Sequence, residues 1–86
     1  MSYRPQWSHG PRWLQDVRNV SSGTLAGLIG RSDYATIDAV HAAFVRHGLG
    51  VASASPNAFT SWQHAWEYFR RTGDYQRALA APKGNA

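Results

Sequence analysis

The chain has 86 residues, a net charge of +4 and no cysteine. Those counts hold it to one domain that buries roughly two-thirds of its unfolded surface, and they exclude a disulfide framework, a thiolate metal site and a cysteine nucleophile. Hydrophobic residues at 43% and aromatic residues at 13% exclude a wholly disordered chain.

Residues 1–11 read as an extended arm, because Pro5, Gly10 and Pro11 interrupt any helix and the apolar residues have no period. Residues 12–20 form a short helix with Trp13, Leu14, Val17 and Val20 at helical spacing. Residues 24–29 form a second, with Ser22 as N-cap and Gly30 as the C′ residue. Residues 33–47 carry the clearest helical period, in Ile37, Val40, His41, Phe44 and Val45. Ser32 or Asp33 caps its start, and Gly48 with Leu49 behind it suits a Schellman stop. Its other face is small, with Ala35, Ala39, Ala42 and Ala43. A helix of that kind is expected at the centre of a bundle, its alanines admitting another helix or a second copy. Residues 49–54 read as a loop or a very short strand. Ser55-Pro56 then starts a helix that runs to about Arg71, with Phe59, Trp62, Trp66 and Phe69 as its stripe and Ala58 and Ala65 filling in. Asp74 caps a last helix from Tyr75 to Ala81. The expected fold is all-α: a compact bundle of four to five short helices in residues 12–81, with the arm before it and a disordered tail at 82–86.

The first residues lack an apolar leader core, and no run approaches the roughly 20 apolar residues of a membrane span. A cytoplasmic protein that uses no membrane is expected.

The stretch Thr24–Gly30, Arg31–Ala35, Thr36–Val40 resembles the helix-turn-helix of bacterial DNA-binding domains. Ala26 and Gly30 stand four apart like that family's alanine and turn glycine, and Leu25 and Ile29 match its apolar positions. Arg46-His-Gly-Leu49 looks like the exit of a winged-helix repressor. The resemblance covers residues 22–49, with Ile37 one place later than the family's apolar position. It implies a transcriptional regulator whose recognition helix is 33–47 and whose DNA contacts are Arg31, Ser32, Tyr34 and Thr36.

The distribution of charge points elsewhere. Arg4, Arg12, Arg18 and Arg31 against Asp16 leave residues 1–31 at +3. Arg46 against Asp33 and Asp38 leaves 32–54 at −1, and Arg70, Arg71, Arg77 and Lys83 against Glu67 and Asp74 leave 55–86 at +2. A helix that reads DNA needs phosphate-neutralising cations around it, and here the cations lie at the two ends. Aromatic residues interleave with arginine at both ends: Tyr3, Arg4, Trp7 and Arg12 in the arm and first helix, and Tyr68, Arg70, Arg71, Tyr75 and Arg77 in the last two. This chemistry suits an acidic protein surface or single-stranded nucleic acid.

Asp38-x-x-His41 and His64-x-x-Glu67 each place a carboxylate and an imidazole on adjacent turns, but on helix faces that do not converge. Glu67 is expected to pair with Arg71 at i, i+4. No serine sits on a Gly-x-Ser-x-Gly elbow with histidine support. Together these features point to a small non-enzymatic binding protein with neither metal nor cofactor. It would regulate a larger machine, such as the transcription apparatus or a defence complex, by stoichiometric docking on an acidic surface, in the manner of phage-encoded inhibitors. The alternative is the DNA-binding regulator.

Overall fold

Short amphipathic periods separated by glycine and serine become five helices in the computed structural model, which describes residues 11–55 and 57–84. They are α1 (Arg12–Asn19), α2 (Ser22–Ile29), α3 (Tyr34–Ala54), α4 (Trp62–Phe69) and α5 (Gly73–Gly84). The fold is an all-α bundle of short helices. No helix among the described residues is long and apolar enough to cross a membrane.

In α1, Trp13, Leu14 and Val17 are buried while the polar positions face out. The helix α2 is capped by Ser21, one residue before the expected Ser22: the Ser21 hydroxyl accepts from the Thr24 N–H at 3.1 Å. It ends at Gly30, whose φ of 71° lies in the left-handed region. The Gly30 and Arg31 N–H groups both donate to the Ala26 carbonyl, at 2.9 and 3.3 Å. A side chain at Gly30 would make that exit costly.

The central element is α3, which packs against each of the other four helices. At 21 residues it is about 30 Å long. Here the structure corrects the sequence reading, because Gly48 does not stop the helix and residues 49–54 are not a loop. Gly48 is buried in mid-helix. A Cβ there would stand 3.3 Å from Trp13 Cζ3 and 3.4 Å from Leu14 Cδ1. The glycine is therefore a seat for α1. Val51 and Ala52, one turn further, pack on the core and carry the helix on to Ala54.

The start of α4 is also corrected. Ser55 closes α3, its N–H donating to the Val51 carbonyl at 2.7 Å. Ser61 is the cap of α4, accepting from the His64 N–H at 3.4 Å. Phe59 thus lies off the helix and folds back edge-on over Trp13, with centroids 5.4 Å apart. Ala58, expected to fill the aromatic stripe, is exposed.

The last helix begins at Gly73, placing Asp74 inside its first turn rather than at the cap. It continues past Ala81 to Gly84, so the expected tail is helical over its first three residues. The fixed φ of proline, about −65°, is itself helical. Pro82 carries no N–H and so contributes no backbone donor to α5.

All five helices contribute to one core, which includes Trp13, Leu25, Phe44, Trp66, Phe69 and Ala78. Phe44 sits 5.2 Å from both Trp66 and Phe69. Such ring pairs add about 0.5–1.5 kcal/mol each beyond their burial. The indole N–H groups of Trp13 and Trp66 are buried without a hydrogen-bond partner among the described residues, which costs about 1–3 kcal/mol apiece.

Two glycines of α3 are expected to behave oppositely. Gly48→Leu overpacks the α1 seat and should lower stability by about 1–3 kcal/mol. Gly50 has nothing within 4 Å of its Cβ position, so Gly50→Ala should raise stability by about 0.5–1 kcal/mol through helix propensity. Urea unfolding monitored by circular dichroism measures both, and equal responses would contradict the seat.

Candidate functional site

Burial of Ala65, Trp66 and Phe69 on one face of α4 turns Tyr68 outward at 49% exposure. The helix then closes in a tight turn. The Arg70 N–H donates to the Trp66 carbonyl, Arg71 to Tyr68, and Thr72 to Phe69, at 2.9, 3.1 and 2.9 Å. The Thr72 hydroxyl also donates to the Phe69 carbonyl at 2.6 Å. These bonds hold Arg70 and Arg71 exposed at a fixed corner between α4 and α5. Glu67 pairs with Arg70 at 3.6 Å, not with Arg71. An i, i+4 pair needs an unbroken helix, and α4 has ended before Arg71. Among the described residues Arg71 makes no ion pair.

Behind this corner stands His47. The Tyr68 ring stacks on it at 5.4 Å and 28°, and Phe69 lies 5.4 Å away. Its Nδ1 faces Asp74 Oδ2 at 3.4 Å, and its side chain is only 12% exposed. The other Asp74 oxygen accepts from the Arg77 guanidinium. One carboxylate in the first turn of α5 thus ties α3 to α5, in the position where a helix dipole favours negative charge. Sequence reasoning did not select His47. Its signal was its place three residues after Phe44 on the α3 stripe, hidden because the helix was expected to end there.

Rings form a continuous row from the core to the surface. Trp13 meets Phe59 at 5.4 Å, Phe59 meets Tyr68 at 5.5 Å, and Tyr68 meets His47. Beyond His47 lies an open groove of about 520 Å³ between α3 and α5. Its floor is alanine, from Ala39, Ala42 and Ala43 of α3 to Ala78 and Ala81 of α5, and Arg46 and Arg77 line its edges. The alanine face of α3 therefore receives α5 and leaves a channel beside it.

The residues expected to bind a partner divide accordingly. Tyr68, Arg70, Arg71 and Arg77 stand exposed around the α4–α5 corner. Arg12 is exposed on the first turn of α1, next to Trp13. Tyr75 is corrected: its ring packs edge-on against Trp66 and Phe69, at 5.6 and 5.7 Å, and forms part of the core wall. Tyr3, Arg4 and Trp7 lie outside the described residues.

The α2–α3 turn is stapled internally. Arg31 donates through Nε to Asp33 at 3.0 Å and through Nη2 to the Thr36 hydroxyl at 3.3 Å. Asp33 caps α3 by accepting from the Thr36 N–H at 3.2 Å. Thr36 is fully buried, so it leaves the set of expected DNA contacts. Ser32 and Tyr34 are exposed, Tyr34 at 78%. The exposed positions of the first α3 turns, Tyr34, Ala35 and Asp38, include no cation. His64 bonds Thr60 at 3.0 Å, and no group of three or more metal-ligating side chains occurs among the described residues.

No family model matches this chain, and no curated protein or solved structure is significantly similar to it.

The hydrogen bond from Thr36, with smaller help from the Arg31 charge, holds the Asp33 carboxyl below its ordinary pKa. A carboxyl lowered in this way stabilises the fold above the usual aspartate range, and that stabilisation is lost as pH falls through the folded-state value. Asn is also a good N-cap, so Asp33→Asn should keep the helix start while flattening the loss of stability between about pH 5 and about pH 2. Urea midpoints across that range report the difference; parallel curves would mean that Asp33 titrates normally.

Proposed function

We propose that this protein is a small, non-enzymatic, cytoplasmic regulator that docks stoichiometrically on an acidic surface of a larger macromolecular machine. The observation that carries the reading is the α4–α5 corner. There Tyr68, Arg70, Arg71 and Arg77 stand exposed on a closed turn above a packed row of rings. Arginine and tyrosine are enriched among the anchors of protein interfaces, and here they project from a closed backbone turn. By analogy of size and charge, the machine is a transcription or defence complex and the regulator a phage-type inhibitor.

The non-enzymatic part of the proposal is supported by the His47–Asp74 pair. It has the form of a base and its orienting acid, but Nε2 of His47 is sealed from solvent. A general base must come within hydrogen-bond reach of the substrate proton, and this nitrogen has no open side.

One observation favours DNA instead: α2 and α3 are joined through the left-handed Gly30, as in a helix-turn-helix. Against it, Arg31 is engaged with Asp33 and Thr36, and the first turns of α3 present no cation among the described residues. Phosphate contacts supply most non-specific affinity for DNA.

Affinity capture from host lysate and duplex binding at two salt concentrations decide between these. The double variant Arg70→Glu/Arg71→Glu should retain its fold and lose capture of the partner by about tenfold or more. Unchanged capture would remove the corner from the interface. Salt-sensitive duplex binding that disappears in Arg31→Ala would replace the docking reading with DNA regulation.

A further inference from the structure

The groove between α3 and α5 has dimensions and chemistry of its own. His47 meets Asp74 at one end, and the lining runs back along α3 to Ala39 as it runs forward along α5 to Ala81. The two helices therefore cross the groove antiparallel. Eight residues of α3 separate Ala39 from His47, about 12 Å at 1.5 Å per residue. That length matches two turns of a helix.

A low alanine floor leaves depth for the side chains of an occupant. The occupant must also satisfy its own backbone. Both walls are helices whose N–H and C=O groups are already used within them, so an extended peptide lying on alanine would leave its own groups unpaired. A helix carries its hydrogen bonds with it. Charge selects the rest. Arg46 is exposed and makes no ion pair among the described residues. Arg77 is 75% exposed on the opposite helix. The one carboxylate in the lining, Asp74, is already held by His47 and Arg77. A second copy of this chain fits poorly, because it has nine basic against five acidic residues and no helix rich in carboxylates.

We infer that the α3–α5 groove seats a two-turn amphipathic helix of the docked partner, with apolar side chains on the alanine floor and carboxylates reaching Arg46 and Arg77. This rests on the docking function proposed above and names the element of the partner that is held.

The test uses the full chain and a fluorescein-labelled helical peptide of about 15 residues, with leucine at three- and four-residue spacing and glutamate on both flanks. A second peptide carries lysine in place of every glutamate. Anisotropy at low salt should show binding of the glutamate peptide, and binding of the lysine peptide about tenfold weaker or less. Ala42 is exposed at the groove, so Ala42→Trp should fill it without entering the core. Ala42→Trp and Arg46→Glu should each weaken binding of the glutamate peptide about tenfold or more, with unchanged circular dichroism and melting. Failure of the native protein to bind the glutamate peptide, equal binding of both peptides, or full binding by either variant would overturn the inference. So would self-association of the native chain that Ala42→Trp abolishes, since the groove would then hold a second copy. If lysate capture survives Ala42→Trp but fails in Arg70→Glu/Arg71→Glu, the groove inference falls while docking through the corner stands.

Discussion

Trp13 lies against bare backbone at Gly48, and much of the remaining architecture follows from that contact. The missing side chain lets α1 approach α3 closely enough to bury both Trp13 and Leu14. Trp13 in turn offers its ring to Phe59, which leaves the helical path to cover it. Phe59 supports Tyr68, and Tyr68 stacks on His47. The surface proposed to face a partner is therefore braced by a chain of ring contacts that begins at a glycine on the central helix. In a small core each link counts, because net stability is only a few kcal/mol and one buried ring contributes a large part of it.

The two faces of α3 do different work. One is filled by Ile37, Val40 and Phe44 and makes the core with α1, α2 and α4. The other is lined by alanine, and its shallow relief allows α5 to pack alongside. Alanine contributes little burial of its own, so the α3–α5 contact is locked at one end by polar bonds. Asp74 joins His47 of α3 to the first turns of α5. Further along, where side chains on both helices stay short, the groove opens.

Electrostatics follow the same division. In the middle of the chain Asp33 serves the protein's own architecture, capping α3 and holding Arg31. Two exposed cations, Arg70 and Arg71, stand just past the end of α4, and a third, Arg77, lies on the second turn of α5. Helix C-termini favour positive charge, and side chains at a tight corner project away from one another. Arg70 and Arg71, which complement the dipole of α4, are thus among the positions proposed to meet an acidic surface. A net charge of +4 describes this protein less well than the places where the charge stands.

Much was legible from the residues alone. Helical periods located α1, α2 and the first part of α3, Gly30 marked a left-handed exit, and the alanine face of α3 announced a packed neighbour. The exposed cations of the corner were visible too, because arginine at a helix end has few other places to go. These features are local: they depend on residues within one or two turns of each other. The tertiary structure decided the rest. Gly48 reads the same in a sequence whether it ends a helix or admits a tryptophan; only the position of Trp13 distinguishes the two. Ser55 and Ser61 can each cap a helix, and the structure uses Ser61, with Phe59 off the helix and packed on Trp13. Thr36 and Tyr75 turned inward because Arg31 and the Trp66–Phe69 pair were there to receive them. Glu67 took Arg70 over Arg71 because the helix ended first. His47 became the hinge of the candidate site through Tyr68 and Asp74, residues distant in the chain. Spacing along the chain determines what a helix can offer, and a neighbour's shape determines which offer is taken.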